Sequence, residues 1–246
     1  MKNFTTKLLA IGISAVLLTS AFTACQKTKE APEQPKEQTV QPEEEEQNTH
    51  IGTGSWAAAE DTTVTDELRA IFEEAISKVD GYFFEPVALL GTQVVAGTNY
   101  AILCQPTIVA HDATGSYVIT YINVDPSGEA SLLRDDRVVL PGTENIDPSA
   151  GMMTGGWAYT ESIEITDDIE AVMTKATETL TGASYKAIAN IGTQVVAGLN
   201  HAILCQVTPV VPDGTATYAL VYIYEDLDGN CTITATEDII FDATGN

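Results

Sequence analysis

The stretch GTQVVAGTNYAILCQ, Gly91 to Gln105, returns almost unchanged as GTQVVAGLNHAILCQ, Gly192 to Gln206. Gln93 and Gln194 stand 101 positions apart. The same offset pairs Trp56 with Trp157, Glu60 with Glu161, Thr65 with Thr166, Cys104 with Cys205, Tyr117 with Tyr218, Tyr121 with Tyr222 and Gly128 with Gly229. No gap is needed from Gly54 to Leu140. A unit of this length has the size of a small domain and is far longer than the repeat of a solenoid, so the chain reads as one domain duplicated in tandem. The two copies are about one third identical, yet Gly91 to Gly97 is repeated without a change.

Within a copy the order of elements follows from spacing. Thr65 suits an N-cap, and Asp66 and Glu67 place acid in the first turn, where it favours the helix dipole. Leu68, Ile71, Phe72, Ala75, Ile76 and Val79 recur at helical spacing before Gly81; Ile169, Val172, Met173, Ala176 and Leu180 do so before Gly182. That stripe is expected to be core. Four strands should follow, near Phe84–Val94, Thr98–Val109, Tyr117–Val124 and Glu129–Val139, and a short one should precede the helix near Ala58–Val64. Ala96-Gly97, His111 to Gly115 and Asp125 to Gly128 separate them with turn chemistry. One helix and a four-strand meander make an antiparallel sheet with the helix on one face, an α+β domain. Alternation sets Tyr100, Ile102 and Cys104 on the face toward the helix and Ala101 and Leu103 on the other. The outer face of a lone sheet would be polar. Leu103 and Leu204 there predict a cover, either the other copy or a second molecule.

The first 50 residues lie outside the repeat. Lys2 and Lys7 precede a short apolar run, Leu8 to Leu18, that fits a secretory signal over residues 1–24. Phe22-Thr23-Ala24-Cys25 resembles the lipobox of bacterial lipoproteins, in which the cysteine is acylated and becomes the new N-terminus. That resemblance implies lipid on Cys25 and a lipid-anchored protein at the bacterial surface or elsewhere outside the cytoplasm. Residues 25–50, rich in Gln, Glu, Pro and Lys and carrying Glu43 to Glu46, cannot bury apolar area and read as a disordered, self-repelling tether. The chain's formal charge is −24, and loss of Lys2 and Lys7 with the signal lowers it by two to −26. With no basic stripe to neutralise phosphates, nucleic acid is excluded as a partner.

The motif Gln93-Val94-Val95-Ala96-Gly97, repeated as Gln194-Val195-Val196-Ala197-Gly198, is similar to the central motif of the cystatins, inhibitors of papain-like cysteine proteases. Gly54-Ser55-Trp56 and Gly155-Gly156-Trp157 look like that family's N-terminal glycine segment, and a helix lies between segment and motif, as in the family. The resemblance implies two tandem cystatin-like domains, residues 51–141 and 154–246, joined by a linker over residues 142–153. It further implies a wedge at one end of each domain that fills the protease cleft reversibly without offering a scissile bond. By position the first wedge is Gly54, Gln93 to Gly97 and the loop Asp125 to Gly128 with Pro126; the second is Gly155 and Gly156, Gln194 to Gly198 and the loop Asp226 to Gly229. Small residues at a hairpin tip suit entry into a narrow cleft, and Gln93 is read as a donor to a partner's backbone. Many cystatins carry Pro-Trp in the second loop. Here the loops read as acid in place of a large apolar contact. Met152 and Met153, ahead of Gly155, are placed to fill apolar substrate pockets. The expectation is a two-headed protease inhibitor. A binding module that keeps the fold but recognises another cell-surface protein or ligand is the alternative.

No enzyme, cofactor or metal is expected. The chain has no phosphate loop, nucleophile elbow or Cys/His metal spacing. His50, His111 and His201 do not recur at matching positions, so no Cys/His pair repeats with Cys104 and Cys205, which read as small buried hydrophobes. The run Asp226-Leu227-Asp228-Gly229-Asn230 has a hint of a calcium loop, but its counterpart Asp125-Pro126-Ser127-Gly128-Glu129 loses most of the ligands, and both read as hairpin turns.

Overall fold

The structure is a computed structural model that describes residues 54–107, 116–143 and 155–244. Cys25, the signal, the tether, Met152 and Met153, the His111 to Gly115 turn and most of the linker lie outside the described residues. The first repeat forms β1 (Trp56–Ala58), α1 (Asp66–Ile76), β2 (Phe84–Val95), β3 (Gly97–Pro106), β4 (Val118–Val124) and β5 (Ala130–Arg137). The second forms β6 (Trp157–Tyr159), α2 (Asp167–Thr177), β7 (Ala183–Val196), β8 (Gly198–Pro209), β9 (Thr217–Glu225) and β10 (Cys231–Ile239). Each repeat makes its own antiparallel five-stranded sheet, in the orders β1-β2-β3-β4-β5 and β10-β9-β8-β7-β6.

Both helices start where the caps predict. Thr65 Oγ1 accepts from the Leu68 amide at 3.2 Å and Thr166 Oγ1 from the Ile169 amide at 3.4 Å, each satisfying one of the amides a first turn leaves free. Both helices end earlier than the apolar stripe suggests. Ser77 Oγ donates to the Glu74 carbonyl at 2.7 Å, closing α1 at Ile76. Val79 and Leu180, expected in the core, lie past the helix ends and are exposed. The first strand is also displaced from its expected place. It is Trp56–Ala58, paired with Gly91 to Gln93; beyond it Asp61 accepts from the Thr63 amide at 2.9 Å, and the chain stays beside β2 through Ala59, whose amide donates to the Leu90 carbonyl at 2.9 Å, and Thr62, whose carbonyl accepts from the Leu89 amide at 2.9 Å. Each long strand β2 and β7 carries two register shifts at equivalent positions, after Pro86 and Leu89 and after Ala187 and Asn190. Such bulges bend a strand and increase its twist.

Strand alternation then sorts the side chains. Ile102, Cys104, Val118 and Ile122 pack with Leu68, Phe72 and Ala75 of α1, with Tyr100 at the margin. Ile203, Cys205, Ala219 and Val221 pack with Ile169, Val172, Met173 and Ala176 of α2. The opposite faces meet each other. Ala101, Leu103, Tyr117, Ile119 and Tyr121 share one core with Ala202, Leu204, Tyr218, Leu220 and Tyr222. Leu103 and Leu204 are both 0 % exposed, so the cover they demand is the other repeat. Full burial of a leucine is worth roughly 1.5–3 kcal/mol, which makes this shared face a major part of what holds residues 49–246 in one compact unit.

Candidate functional site

All three segments assigned to a wedge come together at the same end of each sheet. β2 and β3 turn at Ala96, and β7 and β8 at Ala197. The glycine segment lies along the first strand of that hairpin: the Gly54 amide donates to the Val94 carbonyl at 3.0 Å. The second loop abuts the other side. A Cβ on Gly97 would stand 2.0 Å from the Val124 carbonyl oxygen, and one on Gly198 would stand 2.3 Å from that of Glu225. Both glycines also hold positive φ, +105° and +125°. Smallness at these positions is therefore already demanded by the ends of the neighbouring strands β4 and β9 of the same chain.

Gln93 and Gln194, both half-buried, are also bonded within the chain. The amide that the sequence offers to a partner's backbone is taken by the chain itself: Gln93 Nε2 donates to the Gly54 carbonyl at 2.8 Å and Gln194 Nε2 to the Gly155 carbonyl at 2.8 Å. Asn99 and Asn200 hold each glutamine's oxygen from below, with Nδ2 donating to Oε1 at 2.7 Å in both repeats. In the first repeat the ladder continues, Asn123 Nδ2 donating to Asn99 Oδ1 at 2.7 Å. The second repeat has Tyr224 in that place, and its hydroxyl instead donates to the Ala197 carbonyl at the hairpin tip. Trp56 and Trp157, just after the glycine segments, turn into the shared core against Tyr121 and Tyr222, at centroid distances of 5.7 and 5.5 Å.

What projects outward is apolar. Val94 and Val95 are 55 % and 42 % exposed, Val195 and Val196 are 70 % and 42 % exposed, and Ala96 and Ala197 are exposed beside them. The acid in the second loops turns the other way from the sequence expectation. Asp125 Oδ1 accepts from the Ser127 hydroxyl at 2.7 Å and from the Ser127 and Glu129 amides at 2.8 and 2.9 Å. Asp226 accepts from Asn230 Nδ2 at 2.8 Å and from the Asp228 and Asn230 amides at 2.9 Å. These donors, led by the side chains of Ser127 and Asn230, hold both carboxyls below the usual carboxylate value. With the aspartates tied into their own turns, Pro126 and Leu227 are left at the loop tips, and Leu227 is 85 % exposed. Leu227 lies in the loop Asp226 to Gly229 that the sequence assigned to the second wedge, but the residue types there read as acid, not as presenting an apolar side chain. Its signal was an Asx-type turn, Asp-x-Asp-Gly, which fixes the aspartate inward and so leaves the next side chain outward.

The remaining chemistry-bearing residues sit elsewhere. Cys104 and Cys205 are buried against the helices; burial pushes the Cys205 thiol up to about 12 and the Cys104 thiol upward as well, so neither supplies a thiolate at neutral pH. His201, in the place of Tyr100, is buried with Nε2 at 3.2 Å from Glu225 Oε2. Among the described residues no three His, Cys, Asp or Glu side chains gather as a metal site. No protein-family model matches the chain, and no curated protein matches it significantly.

Proposed function

We propose that this chain is a reversible, non-covalent blocker of papain-like cysteine proteases, each repeat a cystatin-like domain, tethered outside the cell through lipid on Cys25. One observation carries the reading. Within the seven residues that the repeats share, internal packing accounts for Gly91, Gln93 and Gly97 and their partners, but it gives no task to Val94, Val95 and Ala96 or to Val195, Val196 and Ala197. These are apolar, exposed at a hairpin tip, and duplicated. Such side chains suit a narrow apolar cleft, where burial of each valine is worth roughly 1.5 kcal/mol against the cost of association. Gln93 and Gln194 act by holding Gly54 and Gly155 beside the tip, and Pro126 and Leu227 flank it. Inhibition then consists of filling the cleft on both sides of the protease's cysteine.

The test is papain activity against the full chain without its signal. Wild type is expected to inhibit reversibly. Val94→Asp/Val95→Asp combined with Val195→Asp/Val196→Asp is expected to abolish inhibition without shifting the melting temperature. If wild type leaves papain and several cathepsin-type proteases untouched at high micromolar concentration, inhibition is wrong and the duplicated tip serves a different partner. The anchor is tested separately: Cys25→Ser is expected to release the protein from membranes, and a wild type found wholly soluble would remove the lipid.

A further inference from the structure

We infer that Tyr224 is a positioning residue of the second wedge: it holds the second hairpin tip against the strand that delivers Leu227, a device the first wedge lacks. Its effect on a protease rests on the inhibitory reading above. The brace itself stands on the geometry of the free chain.

Tyr224 is the next-to-last residue of β9 and stands opposite Asn200 of β8. From there its side chain reaches the turn between β7 and β8. The hydroxyl donates to the Ala197 carbonyl, and the ring lies against Gly198, where a Cβ would stand 2.9 Å from Cε2 and 3.1 Å from Oη. Gly198 therefore seats this ring as well as the Glu225 carbonyl. A hairpin closed only by its own two strands leaves its tip carbonyl to water. Here that carbonyl is bonded to a third strand. β9 ends at Glu225 and passes directly into the turn Asp226 to Gly229, which the Gly229 amide closes on the Asp226 carbonyl at 3.0 Å. One side chain thus ties the tip that carries Val195 and Val196 to the strand that leads into Leu227.

The first repeat carries the same motif without this tie. Asn123 stands in the place of Tyr224, and its amide is used on Asn99, which in turn holds Gln93. Gly97 is packed by the backbone of Val124 and Asp125. Among the described residues no side chain donates to the Ala96 carbonyl. The two wedges are therefore held at different points: the first through the ladder that ends on Gly54, the second also at the hairpin tip. A loop that must be ordered on binding charges that ordering to the affinity, and a loop already held in place is spared the cost. Tyr224 spares it to the second tip. Among variants of one interface, such differences fall mostly on the dissociation rate.

The experiment uses the full chain without its signal, with one wedge disabled at a time. In the Val94→Asp/Val95→Asp background, Tyr224→Phe removes the hydroxyl and leaves the ring on Gly198. It is expected to raise the dissociation rate from papain about two- to tenfold, the worth of one hydrogen bond, with circular dichroism and melting temperature unchanged. In the Val195→Asp/Val196→Asp background the same substitution should leave papain binding by the first wedge as it was. In the free protein, backbone NMR relaxation should show the Ala197 and Gly198 amides more mobile in Tyr224→Phe than in wild type. An unchanged dissociation rate in the first background overturns the inference. Equal weakening of both wedges also overturns it, because that is the mark of a general loss of structure. Unchanged mobility of the two amides overturns the brace, with or without papain. Wild type that binds no papain sinks the inhibitory reading and the positioning role with it, a result distinct from papain binding that ignores the hydroxyl.

Discussion

Gly198 and Val195 sit three residues apart in one motif and answer to different forces. Gly198 is held by its own chain: its φ is +125° and the Glu225 carbonyl oxygen occupies the space a side chain would need. Val195 is 70 % exposed and touches no core. Gly198→Ala is therefore expected to destabilise the protein by about 1–3 kcal/mol, the usual cost of a strained backbone position. Val195→Ala should stay within about 0.5 kcal/mol of wild type. Chemical denaturation midpoints measure both. Equal, small effects would mean that the second loop moves aside and that the glycine is not required by packing. A charged residue at Gly198 is thus a poor probe of binding, whereas the valines report on it without disturbing the fold.

The second hairpin loops are built so that one carboxylate organises each turn. Asp226 takes three donors from Asp228 and Asn230, and Lys175 of α2 steadies the turn by donating to the Gly229 carbonyl at 3.0 Å. The folded Asp226 carboxyl lies below its ordinary value of 3.8. A group whose folded value is depressed supports structure above its unfolded value and loses that support as pH falls through the folded one. The amide signals of Asp228 and Asn230 should therefore be flat from about pH 7 to about pH 5 and move only below 3.8. Asp226→Ala should bring them to the acid-like position at neutral pH. NMR titration of the two amides reads this directly; movement near neutrality in wild type would refute the assignment. Leu227 depends on this turn for its outward direction, so Asp226→Ala should also weaken papain binding by the second wedge.

Two sheets that close on a common core should not unfold separately. Trp56 and Trp157 face this core from opposite repeats, which makes them matched probes. In Trp157→Phe and Trp56→Phe backgrounds the remaining tryptophan is expected to report the same denaturation midpoint, as a two-state unit requires. Leu204→Ala, a cavity made wholly within the second repeat's side of the interface, should lower both midpoints together, by about 2–5 kcal/mol of stability. A shift confined to the Trp157 signal would show that the halves stand alone. Contacts between the repeats also explain two of the repeated glycines: Gly91 and Gly192 leave room for Phe241 and Leu140 from the opposite repeat.

Much of this was legible before any coordinates, and the boundary has a physical origin. Caps, helical spacing and turn residues act over a few positions, so Thr65 and Thr166 mark the helix starts and Asp125 and Asp226 mark the turns without knowledge of the rest of the chain. Alternation along β3 and β8 likewise assigns Leu103 and Leu204 to an outer apolar face. What covers that face is not encoded in any spacing. It depends on side chains roughly a hundred positions away, whose shape complementarity exists only once both sheets are formed. The motif's glutamines, glycines and loop aspartates are of the same kind. Their residue types suit a partner or the chain's own backbone equally well, and the choice falls to whichever group stands within about 3 Å in three dimensions. Folding gave Gln93 to Gly54, Gln194 to Gly155 and Asp226 to Asn230. It left the valines and Leu227 to the solvent because, among the described residues, no apolar surface covers them.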